Sequence, residues 1–330
     1  MINKRLFDHY GIDTTKDLKI KNRCPRPFDT LLIDKNGSCF ACECQAWLPQ
    51  SVGNLRVHSM EQVMNSAMRL HLKSSIEDGS YRYCNENQCT YILNTMVEHT
   101  SDTDKIKQIR LAIDDSCNLR CPSCRDGMRF HKNGSAYETG IMLADKINKW
   151  LEGQAHPILV HIGSDGDPFA SHVYRYFMRE TPKMKNISYS ILTNGLLFND
   201  FHEKVPEVVG RLKELGISID GATKNTYERL RLGGSWQKMQ DNLKTISELK
   251  KKNNFWFRFH MVVQQDNWRE MMDIVNLGNK YGVDEIYFNK IQDWQTALDY
   301  SRQNFTQLDE FMELRDQISK LNKRYSLVGL

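Results

Sequence analysis

From residue 105 to about 295, short apolar runs alternate with amphipathic stretches of helical length. The runs are IRLAI (109–113), ILVHI (158–162), ISYSILT (187–193), GISID (216–220), FWFRFHMVV (255–263) and EIYFN (285–289). Between them lie patterns such as TGIMLADKINKWLEG and WQKMQDNLKTISELKKK. Strands that alternate with helices pair in parallel, because each helix crosses over the sheet before the next strand begins. Six such βα units predict an α/β fold. A closed eight-fold barrel takes about 250 residues, more than follow residue 105, so the expectation is an open or partial (β/α)6 barrel with a C-terminal helical segment. Ligands of such folds bind at the carboxyl ends of the strands.

The front of the chain reads differently. DTLLIDKNGSCFAC has apolar residues on both sides of Asn36-Gly37, a strong hairpin signal. After GNL, Ser59 with Gln62 three residues on forms a capping-box pattern. Met60, Val63, Met64, Ala67 and Leu70 then predict one apolar helical stripe, which Gly79 ends. The polar stretch EHTSDTDK (98–105) suggests a boundary, giving domains of 1–100 and 101–330.

The cysteines sharpen this division. All nine lie between Cys24 and Cys124, whereas thiols used as small core fillers would scatter. The beginning, MINKRLFDHYGID, has no apolar signal-peptide core. No apolar run reaches the eighteen or so residues of a membrane span. The expectation is therefore a cytoplasmic protein with reduced thiols, whose odd number of cysteines serves metal binding or catalysis. A formal charge of +4 gives no reason to expect binding to a membrane or to nucleic acid.

CNLRCPSC (117–124) follows directly on the first strand of the alternating region. Offsets of four and three would place the sulfurs on one helix face, but Pro122 disrupts a helix interior. Zinc sites commonly take four ligands, and here the fourth would have to come from elsewhere. Three thiolates on an iron–sulfur cube leave one iron open.

This CxxxCxxC spacing after the first strand of a βα array resembles the radical S-adenosylmethionine (SAM) enzymes, and the likeness continues to about residue 295. It implies a 4Fe–4S cluster on Cys117, Cys121 and Cys124, with SAM bound at the open iron. Electron transfer would then yield a 5′-deoxyadenosyl radical that abstracts hydrogen from an unactivated carbon. GSDGDPF is similar to the family's Gly-Gly-Glu-Pro element, with Gly166, Asp167 and Pro168 at the matching places. That element holds the methionyl amino group, and aspartate shortens the reach. By the same resemblance Asn194, in TNG, contacts the cosubstrate, and Ser218 and Arg231 bind the methionyl carboxylate, a partner that suits a guanidinium fork. The family's aromatic residue before the third cysteine is replaced by Ser123.

CPRPFDTLLIDKNGSCFAC and GNLRVHSMEQVMNS are similar to the auxiliary-cluster subdomains called SPASM and Twitch. In those enzymes the subdomain follows the barrel; here it precedes it. The resemblance implies one auxiliary 4Fe–4S cluster on Cys24, Cys42, Cys84 and Cys89, with Cys44 as the alternative to Cys42. Six front cysteines are one short of a two-cluster set. Zinc is the alternative for this front region. Cys39 and Cys44 are left over, either as unligated thiols or as a hydrogen donor to a substrate radical. Asp220 would anchor substrate or cap the next helix. His161, His260, Trp256, Trp268 and Trp294 would line a pocket or belong to the core.

The expected substrate is first a peptide, because SPASM-type relatives mostly modify peptides. A carbohydrate, nucleotide-linked or other small polar metabolite is the alternative, and a non-catalytic iron–sulfur or zinc module is the alternative of another class. A one-electron donor such as flavodoxin or ferredoxin is the implied partner.

Overall fold

The computed structural model describes residues 3–94, 105–163, 165–296, 298–321 and 324–330. The boundary stretch at 98–105 lies, except for Lys105, outside the described residues. Contacts divide the chain into two compact units. One comprises Met1–Asp114, Lys132–Ser164 and Tyr176–Ser188; the other comprises Asp115–His131, Asp165–Arg175 and Tyr189–Leu330.

In the first unit the hairpin forms as expected, with β1 (Thr30–Asp34) antiparallel to β2 (Ser38–Phe40). Its turn is closed by Asp34, whose Oδ1 accepts the backbone N–H groups of Asn36 and Ser38 at 2.9 and 2.8 Å. Gly37 takes φ +81°, where a side chain would be strained. The chain adds a third strand, β3 (Ser51–Asn54), which the sequence did not signal because SVGN is short and holds a glycine. On its other edge β1 pairs in parallel with β4 (Gln108–Ala112), the first strand of the alternating region, and β4 pairs in parallel with β5 (Ile158–Ile162). Leu31, Ile33, Ile109, Leu111, Val160 and Ile162 supply the sheet's buried side chains. The helix Gly134–Glu152 covers them with Leu143, Ala144, Ile147 and Leu151. Lys146 fixes it by donating to the Leu55 and His58 carbonyls at 2.5 and 3.2 Å.

The capping box is present: Ser59 N–H donates to Gln62 Oε1, and Gln62 N–H donates to Ser59 Oγ. The single helix expected from Met60 to Leu70 is, however, two, Met60–Met64 and Ala67–Glu77. Ser66 starts the second by capping the Arg69 N–H. The break turns the apolar face, so Ala67 and Leu70 are exposed, and Leu72 and Ile76 are buried instead.

In the second unit β6 (Ile187–Thr193, from Tyr189 on), β7 (Leu212–Ser218), β8 (Trp256–Val263), β9 (Glu285–Lys290) and β10 (Tyr325–Val328) pair in parallel in chain order. Phe257, Phe259, Met261 and Phe288 are wholly buried within it. The helices Trp236–Asn253 and Met271–Tyr281 fill the crossovers. Ser235 starts the first of these, and Asn254 in a left-handed conformation ends it. All six expected strands are present and the fold class is the α/β array of a partial barrel. Two details differ. β7 begins at Leu212 and stops at Ser218, so Ile219 and Asp220 lie beyond it. β10 adds a parallel strand that its short YSLV run did not announce. Among the described residues no helix is long and apolar enough to cross a membrane.

Candidate functional site

The three-cysteine loop lies wholly in the second unit. Cys117 N–H donates to the Arg129 carbonyl at 2.8 Å, which closes the loop on the strand-like segment behind it. Pro122 opens a turn in which the Cys124 and Arg125 N–H groups both donate to the Cys121 carbonyl, at 3.0 and 3.1 Å. Cys117 and Cys121 are buried, and Cys124 is exposed. Burial pushes the Cys121 thiol up to about 11, although the Arg231 charge pulls it down. Burial likewise raises Cys117. Metal binding at these sulfurs must therefore release protons.

Asp115 braces the loop. Its carboxylate takes Arg129 on Oδ2 at 2.9 Å and His131 on Oδ1 at 2.6 Å, while its carbonyl accepts Arg125 at 2.9 Å. The brace was not legible in sequence, because it depends on the chain returning to Asp115 fourteen and sixteen residues later.

Gly166 brings a second loop against the first. A β-carbon there would lie 2.4 Å from the Ser116 carbonyl oxygen, so only glycine fits. The neighbouring Asp167 N–H donates to that same oxygen at 2.8 Å. The Asp167 side chain is engaged by the chain's own donors. Its Oδ1 accepts the Phe169 and Ala170 N–H groups at 3.0 and 3.1 Å. Its Oδ2 accepts the Thr193 hydroxyl and the Asn194 N–H at 2.6 and 2.8 Å. The shortened carboxylate thus ties its own loop to the end of β6, and burial raises its proton affinity.

Asn194 is brought to the cysteine loop. Its Nδ2 donates to Asn118 Oδ1 at 2.9 Å and lies 3.8 Å from Cys117 Sγ. Ser218, half-buried, ends β7 opposite His260. The carboxylate that Arg231 meets is the chain's own Asp220, with Nε to Oδ2 at 2.7 Å. Its Nη1 points to Cys121 Sγ at 4.0 Å. Asp220 does not cap the next helix. Thr223 caps the following helix, and the second Asp220 oxygen accepts the Val262 N–H at 2.8 Å. His260 is stacked on Tyr287, and burial holds its imidazole down to about 4. Trp268 packs in the core, and Trp256 and Trp294 are exposed.

Beside the loop lies a cavity of about 570 Å³. Arg120, Pro122 and Arg125 of the loop form one wall; Arg302, Asp266 and Asp299 are among the others. Arg125 donates to the Asp115 and Asp165 carbonyls, at 2.9 and 2.6 Å, so it is held in place by groups that leave its charge intact. Thr296 and Tyr300 donate to the Pro122 and Ser123 carbonyls, at 2.8 and 3.3 Å. The contribution of 296–303 was not legible in sequence, since this segment has neither periodicity nor motif.

A separate thiol site lies wholly in the first unit. Cys24, Cys42, Cys84 and Cys89 line one small pocket, whose other walls include Trp47, Leu48 and Ile76. Burial raises all four thiols, Cys24 to about 11. Tyr81 holds the Cys24 loop by accepting the Cys24 N–H at 2.8 Å and donating to the Asn22 carbonyl at 2.5 Å. Lys16, which pairs with Glu86, donates to the Cys84 carbonyl at 2.6 Å. Cys42 rather than Cys44 lines the pocket. Cys39 is buried in β2 and donates to the Gly37 carbonyl at 3.6 Å; it lies outside the four-thiol pocket.

The donor chemistry of both thiol sets fits an iron–sulfur cluster.

The chain resembles several known proteins. GTP 3′,8-cyclase of Synechocystis sp. is 22% identical over 228 residues, 68% of this chain and 64% of that protein. GTP 3′,8-cyclase of Clostridium perfringens (strain SM101) is 25% identical over 183 residues, 54% of each chain. The chain thus spans less than two thirds of the length of these relatives. A crystal structure of Streptococcus suis SuiB bound to S-adenosylmethionine is 14% identical, with TM-score 0.43 over 68% of this chain and 47% of that one. Residues 111–278, just over half of the chain, match the profile of the radical SAM superfamily, and the chain belongs to that superfamily of enzymes.

Proposed function

We propose that Cys117, Cys121 and Cys124 hold a 4Fe–4S cluster with one iron open to SAM, and that the chain applies the resulting radical to a small, anionic, nucleotide-linked metabolite. When bound, the cluster supplies the electron that cleaves a carbon–sulfur bond of SAM, giving methionine and a 5′-deoxyadenosyl radical that takes a hydrogen atom from the substrate. The protein's part is to hold and orient. Asp115 and Arg129 keep the thiol loop closed. Gly166 and Asp167 pack a second loop against it, and Asn194 and Ser218 border the cosubstrate.

The observation that carries the substrate reading is the cavity beside the cysteine loop. Its volume suits a small ligand. Arg120, Arg125 and Arg302 offer guanidinium donors to phosphate or carboxylate oxygens, and Asp266 and Asp299 offer acceptors to amino or hydroxyl groups. The relatives named GTP 3′,8-cyclase support the same class. Hence the nucleotide-linked alternative is placed ahead of the peptide.

Cys24, Cys42, Cys84 and Cys89 hold an auxiliary 4Fe–4S cluster in this proposal. Four thiols on apolar walls satisfy such a cluster without an outside ligand. A flavodoxin- or ferredoxin-type donor supplies the electron.

The test is anaerobic incubation of the reconstituted protein with dithionite, SAM and deuterated candidates: nucleoside triphosphates, nucleotide sugars and peptides. Deuterium passing from a nucleotide-linked compound into 5′-deoxyadenosine supports the proposal. Transfer from peptides alone overturns its substrate class, and no 5′-deoxyadenosine from protein with a complete cluster overturns its chemistry.

A further inference from the structure

Arg231 and Asp220 form a nearly buried ion pair immediately behind a cysteine of the three-thiol loop. The Arg231 side chain is 12% exposed and that of Asp220 2%. Ion pairs taken this far from water cost several kcal/mol of desolvation per ion and repay it only when geometry and further hydrogen bonds are good. Here the geometry is fixed from several sides. The Val262 N–H donates to Asp220 Oδ1, and Asn267 donates to the Asp220 and Val262 carbonyls, at 2.9 Å each. The Arg231 N–H donates to the Tyr227 carbonyl at 2.8 Å, ending the helix Lys224–Leu230. So held, the guanidinium presents Nη1 to Cys121 Sγ at 4.0 Å.

A second group points the same way. Tyr227, one helical turn before Arg231, is wholly buried. Among the described residues its hydroxyl has no hydrogen-bond partner. A buried hydroxyl without an acceptor costs about 1–3 kcal/mol. The charges that act on it are those of Arg231, Cys121, Asp220 and Asp167. A sulfur of the bound cluster would supply that acceptor.

We infer that Arg231, Asp220 and Tyr227 set the reduction potential of the cluster on Cys117, Cys121 and Cys124. This rests on the proposal that those cysteines hold the cluster. A cation and a hydroxyl donor beside the thiolate stabilise the more negative, reduced cluster and raise its potential. Asp220 offsets part of the guanidinium charge and limits that rise. These are positioning residues, since they act on the cluster through its sulfurs.

The test is an EPR-monitored redox titration of the holoenzyme without SAM. The relevant cluster is recognised by the change in its signal when SAM is then added. Arg231→Gln is expected to move the potential down, Asp220→Asn up, and Tyr227→Phe down by less. Tyr227→Phe leaves the ion pair intact and removes an unsatisfied group, so it keeps the test decisive if either charge variant fails to fold. A downward shift in Arg231→Gln with an upward one in Asp220→Asn, or a downward shift in Tyr227→Phe, supports the inference; the reverse signs overturn it. Unmoved potentials in variants that hold a full complement of iron overturn it, even if SAM affinity falls. Wild-type protein without a SAM-responsive cluster overturns the parent proposal instead.

Discussion

The two thiol sites solve opposite problems. In the first unit Cys24, Cys42, Cys84 and Cys89 come from four places spread over sixty-odd residues and meet in a pocket with mainly aromatic and aliphatic walls, where the one charged lining residue, Arg26, pairs with Glu43. In the second unit Cys117, Cys121 and Cys124 come from one turn and are surrounded by charge: Asp115, Arg125, Asp167, Asp220 and Arg231. In the proposal, four thiols would satisfy a cube and shut it in, and three would leave a corner for chemistry and need neighbours that handle charge. The closed site is made by the tertiary fold, and the open one by local sequence.

The largest expected effect comes from breaking the open site. Cys121→Ala should abolish 5′-deoxyadenosine formation and lower the iron content from about eight per chain to about four. Loss of all iron would mean that the two sites do not fill independently. Removing Cys84 should have the complementary result. Cys84→Ala should also leave about four irons per chain, while the remaining cluster keeps its SAM-responsive EPR signal. Cys44→Ser should change neither, and a loss of iron there would reassign the ligand from Cys42.

A smaller effect falls on the backbone that supports the open site. Gly166→Ala pushes a methyl group into the Ser116 carbonyl at 2.4 Å. It should cost about 2–4 kcal/mol of stability, read by chemical denaturation of the apoprotein. An unchanged midpoint would show that the two loops do not pack this way.

The smallest effect is one of pH. Thiolates bind metal, so every thiol whose proton is held more tightly weakens loading as the pH falls. Cys24 and Cys121 both stand at about 11, but Cys42 and Cys84 are raised further, whereas Arg231 opposes the rise of Cys121. Reconstitution at decreasing pH should therefore lose the first unit's iron before the second unit's. Iron per chain should step from about eight to about four while SAM cleavage persists. Loss in the reverse order would contradict the difference in environment.

Much of this was legible in the sequence because it is local. The βα alternation, the Asn36-Gly37 turn, the Ser59 capping box and the three-cysteine spacing each depend on residues close together in the chain. The grouping of Cys24, Cys42, Cys84 and Cys89 was legible only through resemblance, since no local rule joins them. What escaped depends on distant partners. The stripe from Met60 to Leu70 looked continuous because Ser66 was not weighed as a cap. The Arg231–Asp220 pair was missed because Asp220, eleven residues earlier, was weighed only as a substrate anchor or a helix cap. The donors that Asp167 accepts were not foreseen, because two of them lie in β6 and the residue after it.

The most direct measurement is electron–nuclear double resonance on the reduced protein mixed with SAM labelled at its amino nitrogen and carboxylate oxygens. Hyperfine coupling from both labels to a cluster whose signal disappears in Cys121→Ala is the predicted result. A reduced cluster at that loop with no coupling from either label, its fourth iron held by a protein side chain, would contradict the account.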